Sequence, residues 1–243
     1  EIMPTAFSGV TSLSQLIFVE GKLTEIPAGA FEGCTSLSLV TLVDNITHIG
    51  DNAFAGTPWL IKQTASDFVV LNGKLVRYNG TSTNVVLPEG ISAINKGVFD
   101  GKQIVSLDMS ATTIESIVED AFSGLKTLAN VVFSDYTTYI GAGAFSGTAW
   151  LNAQTDDFVI VNDVALVAYK GSDSTVDIPS TVRYINSDVF AGNAYIYTVF
   201  INGEIAIGER AFVGTSLYQL IGDEYIQSIG KDAFLGTDYE RAN

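Results

Sequence analysis

Apolar and polar positions alternate along this chain in short bursts, and the clearest burst is LSLVTLVDN from Leu37 to Asn45. It fits the pattern L-x-x-L-x-L-x-x-N, in which a short strand is followed by a corner. A strand sends successive side chains to opposite faces, so Leu37, Val40 and Leu42 are predicted to point inward and Leu39, Thr41 and Val43 outward. Asn45 is expected to satisfy backbone groups where the chain turns, and Ile46 and Ile49 to fill the core on the next side. The following GDNAFAG then closes a coil. Asp51 or Asn52 is predicted to cap a single helical turn that carries Ala53 and Phe54 inward, with Gly56 releasing the chain into the next strand.

The pattern repeats. A phenylalanine preceded by Ala or Val and followed two residues later by Gly occurs nine times, at Phe7, Phe31, Phe54, Phe99, Phe122, Phe145, Phe190, Phe212 and Phe234. The intervals are 24, 23, 45, 23, 23, 45, 22 and 22 residues. If each 45 holds two turns, ten turns average about 22.7 residues, within the roughly 20 to 29 of leucine-rich repeats. One such unit cannot bury its apolar face alone, so a stack is the stable object. The long units match each other at a shift of about 91 residues: GTPWL with Trp59 and GTAWL with Trp150, DFVVLNGKLVRY and DFVIVNDVALVAY, Pro88 and Pro179. Each contains two β-rich runs, Phe68 to Leu71 and Lys74 to Tyr78 in the first. They are joined by Asn72-Gly73 there and by Asn162-Asp163 in the second, so a hairpin is predicted that either widens the sheet or projects from it.

The fold class predicted is therefore an α/β or mainly β leucine-rich-repeat solenoid. It has short parallel strands, single helical turns at the A-F-x-G corners and two inserted β-hairpins. Nothing between the units resembles a linker, so residues 1–243 are expected to form a single solenoid domain. The first residue is not Met and the chain opens part-way through a repeat, which suggests a segment of a longer precursor whose export signal or anchor lies elsewhere.

Charge narrows the partners. Twelve Lys and Arg stand against 27 Asp and Glu, a net charge of −15, which disfavours nucleic acid and anionic membranes. No apolar run is long enough to cross a bilayer as a helix, so direct membrane insertion is not expected. A lone cysteine, Cys34, excludes an intramolecular disulfide and leaves stability to packing.

These residues carry a resemblance. LTEIPAGAFEGCTSLSLVTL, ITHIGDNAFAGTPWL and IQSIGKDAFLGT resemble the repeat of BspA-like, Treponema-type leucine-rich-repeat surface proteins, I-x-x-I-x-x-x-A-F-x-G-C-x-x-L-x-x-V. The match covers essentially the whole chain. It implies a bacterial, or sometimes protozoan, surface protein with a part in adhesion. It carries over no functional residue, because the shared positions are core and turn. Two departures are the small or polar residue that most units place where Cys34 stands, and the 45-residue units.

Catalytic chemistry finds little support. The single histidine, His48, lies between Ile46 and Ile49 in an expected corner, without the neighbours that a Ser-His or Cys-His pair needs. Cys34 takes the inward position beside Gly33, as a small packed hydrophobe would. There is no H-E-x-x-H and no C-x-x-C, and no cofactor or metal is expected. GAGAFSG, from Gly141 to Gly147, aligns with GDNAFAG and is a repeat corner rather than a phosphate loop. The acidic pairs Asp156-Asp157, Glu119-Asp120 and Asp223-Glu224 diverge in a strand or turn and suit solvated surface better than a glycosidase or calcium site. Asn45-Ile46-Thr47 and Asn79-Gly80-Thr81 match glycosylation sequons, which short sequences produce by chance.

The candidate site is a face. Ten strands at about 4.8 Å spacing would form a surface on the order of 48 Å long. The outward register exposes Ile17 and Val19, Leu39, Thr41 and Val43, Asn130 and Val132, Thr198 and Phe200, and Gln219 and Ile221, with Tyr197 nearby. Several are apolar where polar residues would suffice. Two readings stay open: a partner-binding stripe, or strand propensity alone with hairpins or other segments covering the face. Function is expected to be non-catalytic, a cell-surface or secreted module that binds an extracellular protein or glycan partner. The alternative is a structural spacer or stalk of a larger surface protein. Replacement of Phe122 by Ala should be costly, and loss of Lys170 nearly free.

Overall fold

The computed structural model describes residues 1–43, 46, 48–50, 52–63, 66–71 and 73–242. The chain winds as a β-solenoid of short, mostly parallel strands with few helices. Asn45, Asp51 and Asn72, to which the sequence gives corner, cap and turn roles, lie outside the described residues, as does Thr47 of one sequon.

Each turn presents two strands. The first face holds β1 (Gln15–Ile17), β3 (Leu39–Thr41), β7 (Asn84–Val86), β9 (Ser106–Asp108), β11 (Asn130–Val132), β15 (Thr175–Asp177), β17 (Thr198–Phe200) and β19 (Gln219–Ile221). The second holds β2 (Glu25–Ile26), β4 (His48–Ile49), β8 (Ala93–Ile94), β10 (Ser116–Ile117), β12 (Tyr139–Ile140), β16 (Tyr184–Ile185), β18 (Ile205–Ile207) and β20 (Ile226–Ile229). To it belong the hairpins β5 (Phe68–Leu71) with β6 (Lys74–Tyr78) and β13 (Phe158–Val161) with β14 (Ala165–Tyr169). The hairpins widen the sheet: β6 pairs parallel with β8 and β14 with β16, each through two residue pairs. The second hairpin turns through Asn162 and Asp163, both with positive φ.

The corners differ from the helical turns expected. Two residues before every repeat phenylalanine the backbone is left-handed, at Thr5, Gly29, Asn52, Gly97, Asp120, Gly143, Asp188, Arg210 and Asp232, and two residues after it stands a glycine with positive φ. A left-handed residue ends an α-helix. The corner is instead a run of four-residue turns in which alternate peptide planes bond locally or along the solenoid. Ser123 N–H reaches Asp120 O at 3.1 Å, while the N–H groups of Asp120, Phe122 and Gly124 reach the carbonyls of Ala142, Ala144 and Ser146 at 3.0, 2.9 and 3.0 Å. An α-helix would consume those donors internally; this corner spends them on the next turn.

Turns also approach one another too closely for a side chain at some corners. A Cβ on Gly141 would lie 2.5 Å from the backbone nitrogen of Glu119, so only glycine fits there.

The phenylalanines stack in the interior. Phe31, Phe99, Phe122, Phe145, Phe190 and Phe212 are almost fully buried, and Phe7, the first ring, is 43% exposed. The stack has three parts. Phe7, Phe31 and Phe54 form one, with centroids 5.3 and 5.4 Å apart. Tyr78 opens the second, 5.5 Å from Phe99, and Tyr169 the third, 5.2 Å from Phe190. These tyrosines are the rings missing from the 45-residue intervals. A short helix follows each stack: α1 (Pro58–Gln63), α2 (Ala149–Ala153) and α3 (Asp238–Ala242). Thr148 caps α2 by accepting from Leu151 N–H at 3.2 Å, and Trp59, Trp150 and Tyr239 close on Phe54, Phe145 and Phe234 at 4.8, 4.6 and 5.2 Å. Lys170 is not a free surface cation. Its Nζ donates to the carbonyls of Leu151 and Gln154 at 2.6 and 2.7 Å, at the C-terminal end of α2.

Candidate binding surfaces

The outward register of the first face is present, but the face is not one ten-strand surface. Its strands form three separate parallel sheets, β1–β3, β7–β9–β11 and β15–β17–β19. Helices interrupt them. Trp59 N–H of α1 bonds to Leu37 O at 2.8 Å and Trp150 N–H of α2 to Leu128 O at 2.7 Å, so each helix takes the place a strand would occupy.

The candidate residues fall into three patches. In the first, Ile17 stands beside Thr41 and Gln15 beside Leu39. Ile17 is 57% exposed and Val19, just past the strand, 76%; Thr41 and Leu39 are also exposed. Val43 departs from its expected position: it is half-buried and packs against the core, because the strand has ended at Thr41 and the alternation with it. In the second patch Val132 is 50% exposed, with Asp108 between it and Val86. In the third, Asp177, half-buried Phe200 and exposed Ile221 lie side by side. Next to them Tyr197 and Tyr218 stack with centroids 5.2 Å apart and planes within 12°, both outward, and Tyr195 is exposed nearby. The strand pattern did not single out Val86, Tyr195 and Tyr218; Tyr218 precedes its strand as Tyr197 does, which was a readable signal.

His48 and Cys34 belong to none of these patches. His48 sits in strand β4, paired with Glu25, rather than in a corner. Cys34 is buried and its Sγ meets Phe7 O at 3.0 Å. Asp156, Asp157, Glu119, Asp223 and Glu224 are exposed, and among the described residues no three His, Cys, Asp or Glu gather where a metal ion would fit. Asp108 carries a displaced pKa: hydrogen bonds from the Ser110 hydroxyl and then its N–H, at 2.9 Å, hold its carboxyl below the usual carboxylate value.

A family model described as the BspA type leucine rich repeat region matches residues 1–112, 76–165 and 169–240. The chain belongs to the BspA-type leucine-rich repeat family. No curated protein matches it. Among solved structures, a leucine rich cell surface protein from Faecalibacterium prausnitzii is 19% identical, with a TM-score of 0.36, over 90% of this chain. The chain spans 60% of that protein's length. A T. pallidum leucine rich repeat protein is 20% identical over 70% of this chain and 85% of its own, with a TM-score of 0.32. A leucine-rich repeat protein from Bacteroides ovatus is 17% identical over 96% of this chain and 66% of its own, with a TM-score of 0.29. In this BspA-type chain the family pattern accounts for the buried rings and corners, while the outward residues of the three patches lie outside it. Among its described residues no helix is long and apolar enough to cross a membrane.

Proposed function

We propose that this chain is a non-catalytic module, displayed at the cell surface or secreted, that holds an extracellular protein or glycan partner against its first face. The observation that supports this reading is the apolar content of outward strand positions. Ile17, Leu39, Val86, Val132 and Ile221 are exposed large hydrophobics in a chain with charge to spare for such positions. Exposed apolar side chains gathered on one face support an interaction surface, here divided into three patches. The acidic surface disfavours nucleic acid as the partner.

A second reading, a spacer that holds another domain away from the surface, draws on the helices that divide the face, since a spacer needs no continuous surface. A variant carrying Ile17→Glu, Val132→Glu and Ile221→Glu separates the two. All three side chains point to solvent, so folding should persist by circular dichroism. Adhesion to immobilised extracellular-matrix proteins and glycans should fall to background. Undiminished adhesion of the folded variant would remove the face from consideration and leave the spacer.

A further inference from the structure

The ring stack breaks between Phe54 and Tyr78, and a cleft of about 670 Å³ opens there. One wall is the corner carrying Asn52 to Ala55, the other the corner carrying Lys96 to Asp100, and the end of β6 lies between them. Between most stacked corners the N–H groups of one meet the carbonyls of the next, the step from the Phe99 corner to the Phe122 corner being an exception among the described residues. Here the intervening turn is a strand ending in Tyr78, and that exchange is lost. Among the described residues the N–H groups of Asn52 and Phe54 find no acceptor, and the carbonyls of Val98 and Asp100 receive no donor. The cleft thus has a donor edge facing an acceptor edge.

Charge singles this cleft out. Arg77, Lys96 and Lys102 line it, with Asp100 the only acid among the described lining residues, in a chain where acids outnumber bases 27 to 12. Lys102 is fixed in place, its Nζ 3.0 Å from Gly80 O and 5.3 Å from the centre of the Tyr78 ring. Lys96 pairs with Asp120 at 3.0 Å. Arg77 is exposed and makes no ion pair with a described residue. The second long unit is an internal control. At the 91-residue shift Arg77, Lys96 and Lys102 become Ala168, Ser187 and Asn193. The second break keeps its side-chain splice, Asn186 accepting from Ile140 N–H at 3.0 Å and donating to Leu166 O at 3.0 Å, yet carries none of the cations. Asn193 there donates to Gly171 O as Lys102 does to Gly80 O, and Lys170 joins the end of α2. Of the three cations of the first break, Arg77 is therefore the one with no bond to a neighbouring turn among the described residues.

We infer that the cleft between the Phe54 and Phe99 corners binds a short acidic saccharide. Its carboxylate would lie against Arg77 and Lys102, and its hydroxyls would span the donor and acceptor edges. Hydroxyls both give and accept hydrogen bonds, which suits opposed edges of opposite kind. Arg favours carboxylate through its planar fork. The volume lies within the range of small-ligand sites. A net charge of −15 repels a long polyanion, so the ligand is a few rings or a terminal acidic sugar. The inference is independent of the first face, and the three first-face Glu substitutions leave the cleft unaltered.

Calorimetric titration of the whole chain with trigalacturonate tests it, with galactotriose and sodium sulfate as comparison probes. Trigalacturonate should bind with saturable heat. Arg77→Ala should weaken it by about tenfold or more, the loss of one charge-assisted pair, with the thermal midpoint unchanged because Arg77 is exposed. Arg77→Lys should recover only part of the affinity, because Lys keeps the charge and loses the planar fork. Absence of binding, equal affinity for galactotriose, equal affinity for sulfate, or indifference to Arg77→Ala would each overturn the inference.

Discussion

Phe122 shows what one ring contributes. It is fully buried, lies 6.1 Å from Phe99 and 5.1 Å from Phe145, and its N–H bonds to the next corner. Neighbouring turns hold both flanking rings in place, so the site cannot collapse, and Phe122→Ala is expected to cost about 3–5 kcal/mol. Urea denaturation measures this; a loss under 1 kcal/mol would mean that the stack is not a stabilising core. Asp108 predicts a pH effect. Its carboxyl is held below the unfolded value, so its contribution is complete above that value, about 3.9, and disappears as pH falls through the lower folded one. Wild type should therefore lose more stability than Asp108→Asn between pH 6 and pH 2.5, read as the shift in urea midpoint. Identical shifts would show that the Ser110 contacts do not form in solution. Inward phenylalanines were legible from spacing alone. The left-handed residue before each was not, because Thr5, Asp120, Gly143 and Arg210 share a backbone conformation without sharing side-chain chemistry.

At the scale of elements, the hairpins were the most legible feature, since β5 and β6 span the residues that β-propensity and the Asn72-Gly73 signal marked. The missing rings were in reach. Ala168-Tyr169-Lys170-Gly171 is the corner motif with tyrosine for phenylalanine, and Tyr78-Asn79-Gly80 keeps ring and glycine. The glycines matter because a Cβ on Gly80 or Gly171 would enter the tyrosine ring beside it. The short helices were hidden because GTPWL and GTAWL matched each other while their role depends on Thr57 and Thr148 bonding back to Phe54 O and Phe145 O at 2.7 Å. Lys170 follows from that miss. Sequence alone makes it a dispensable surface lysine; in the structure it neutralises the carbonyl end of α2. Lys170→Ala should cost roughly 0.3–1 kcal/mol, within the range for a cation at a helix C-terminus, and less at high salt. A salt-independent difference in denaturation midpoint would count against the capping contact.

For the whole molecule, regular spacing of nine phenylalanines predicts one uninterrupted core, and the two breaks are what it could not show. They arise where a strand pair and a helix replace a corner. Buried side chains divide there into three clusters, one ending at Leu71, one running from Leu75 to Ala165 and one starting at Leu166. Across the second break no pair of stacked rings makes contact, and side-chain amides span it instead: Asn186 as described, and Asn162 donating to Ser134 O and Thr137 O at 2.8 and 2.9 Å. In a repeat protein each turn is stabilised by its neighbours, so a weaker junction confines the spread of local opening. Phe212→Ala tests this in the third cluster. Removing that ring, with its partners at 4.8 and 5.3 Å, should lower the opening free energy of the strands from Thr175 to Ile229 by several kcal/mol. Hydrogen exchange of their amides should accelerate about a hundredfold or more, at about 1.4 kcal/mol per tenfold. Amides of β7 to β12 should keep their wild-type protection. If protection fell equally on both sides of the break, the solenoid would open as one cooperative unit and the amide-spanned junction would not be a weak point.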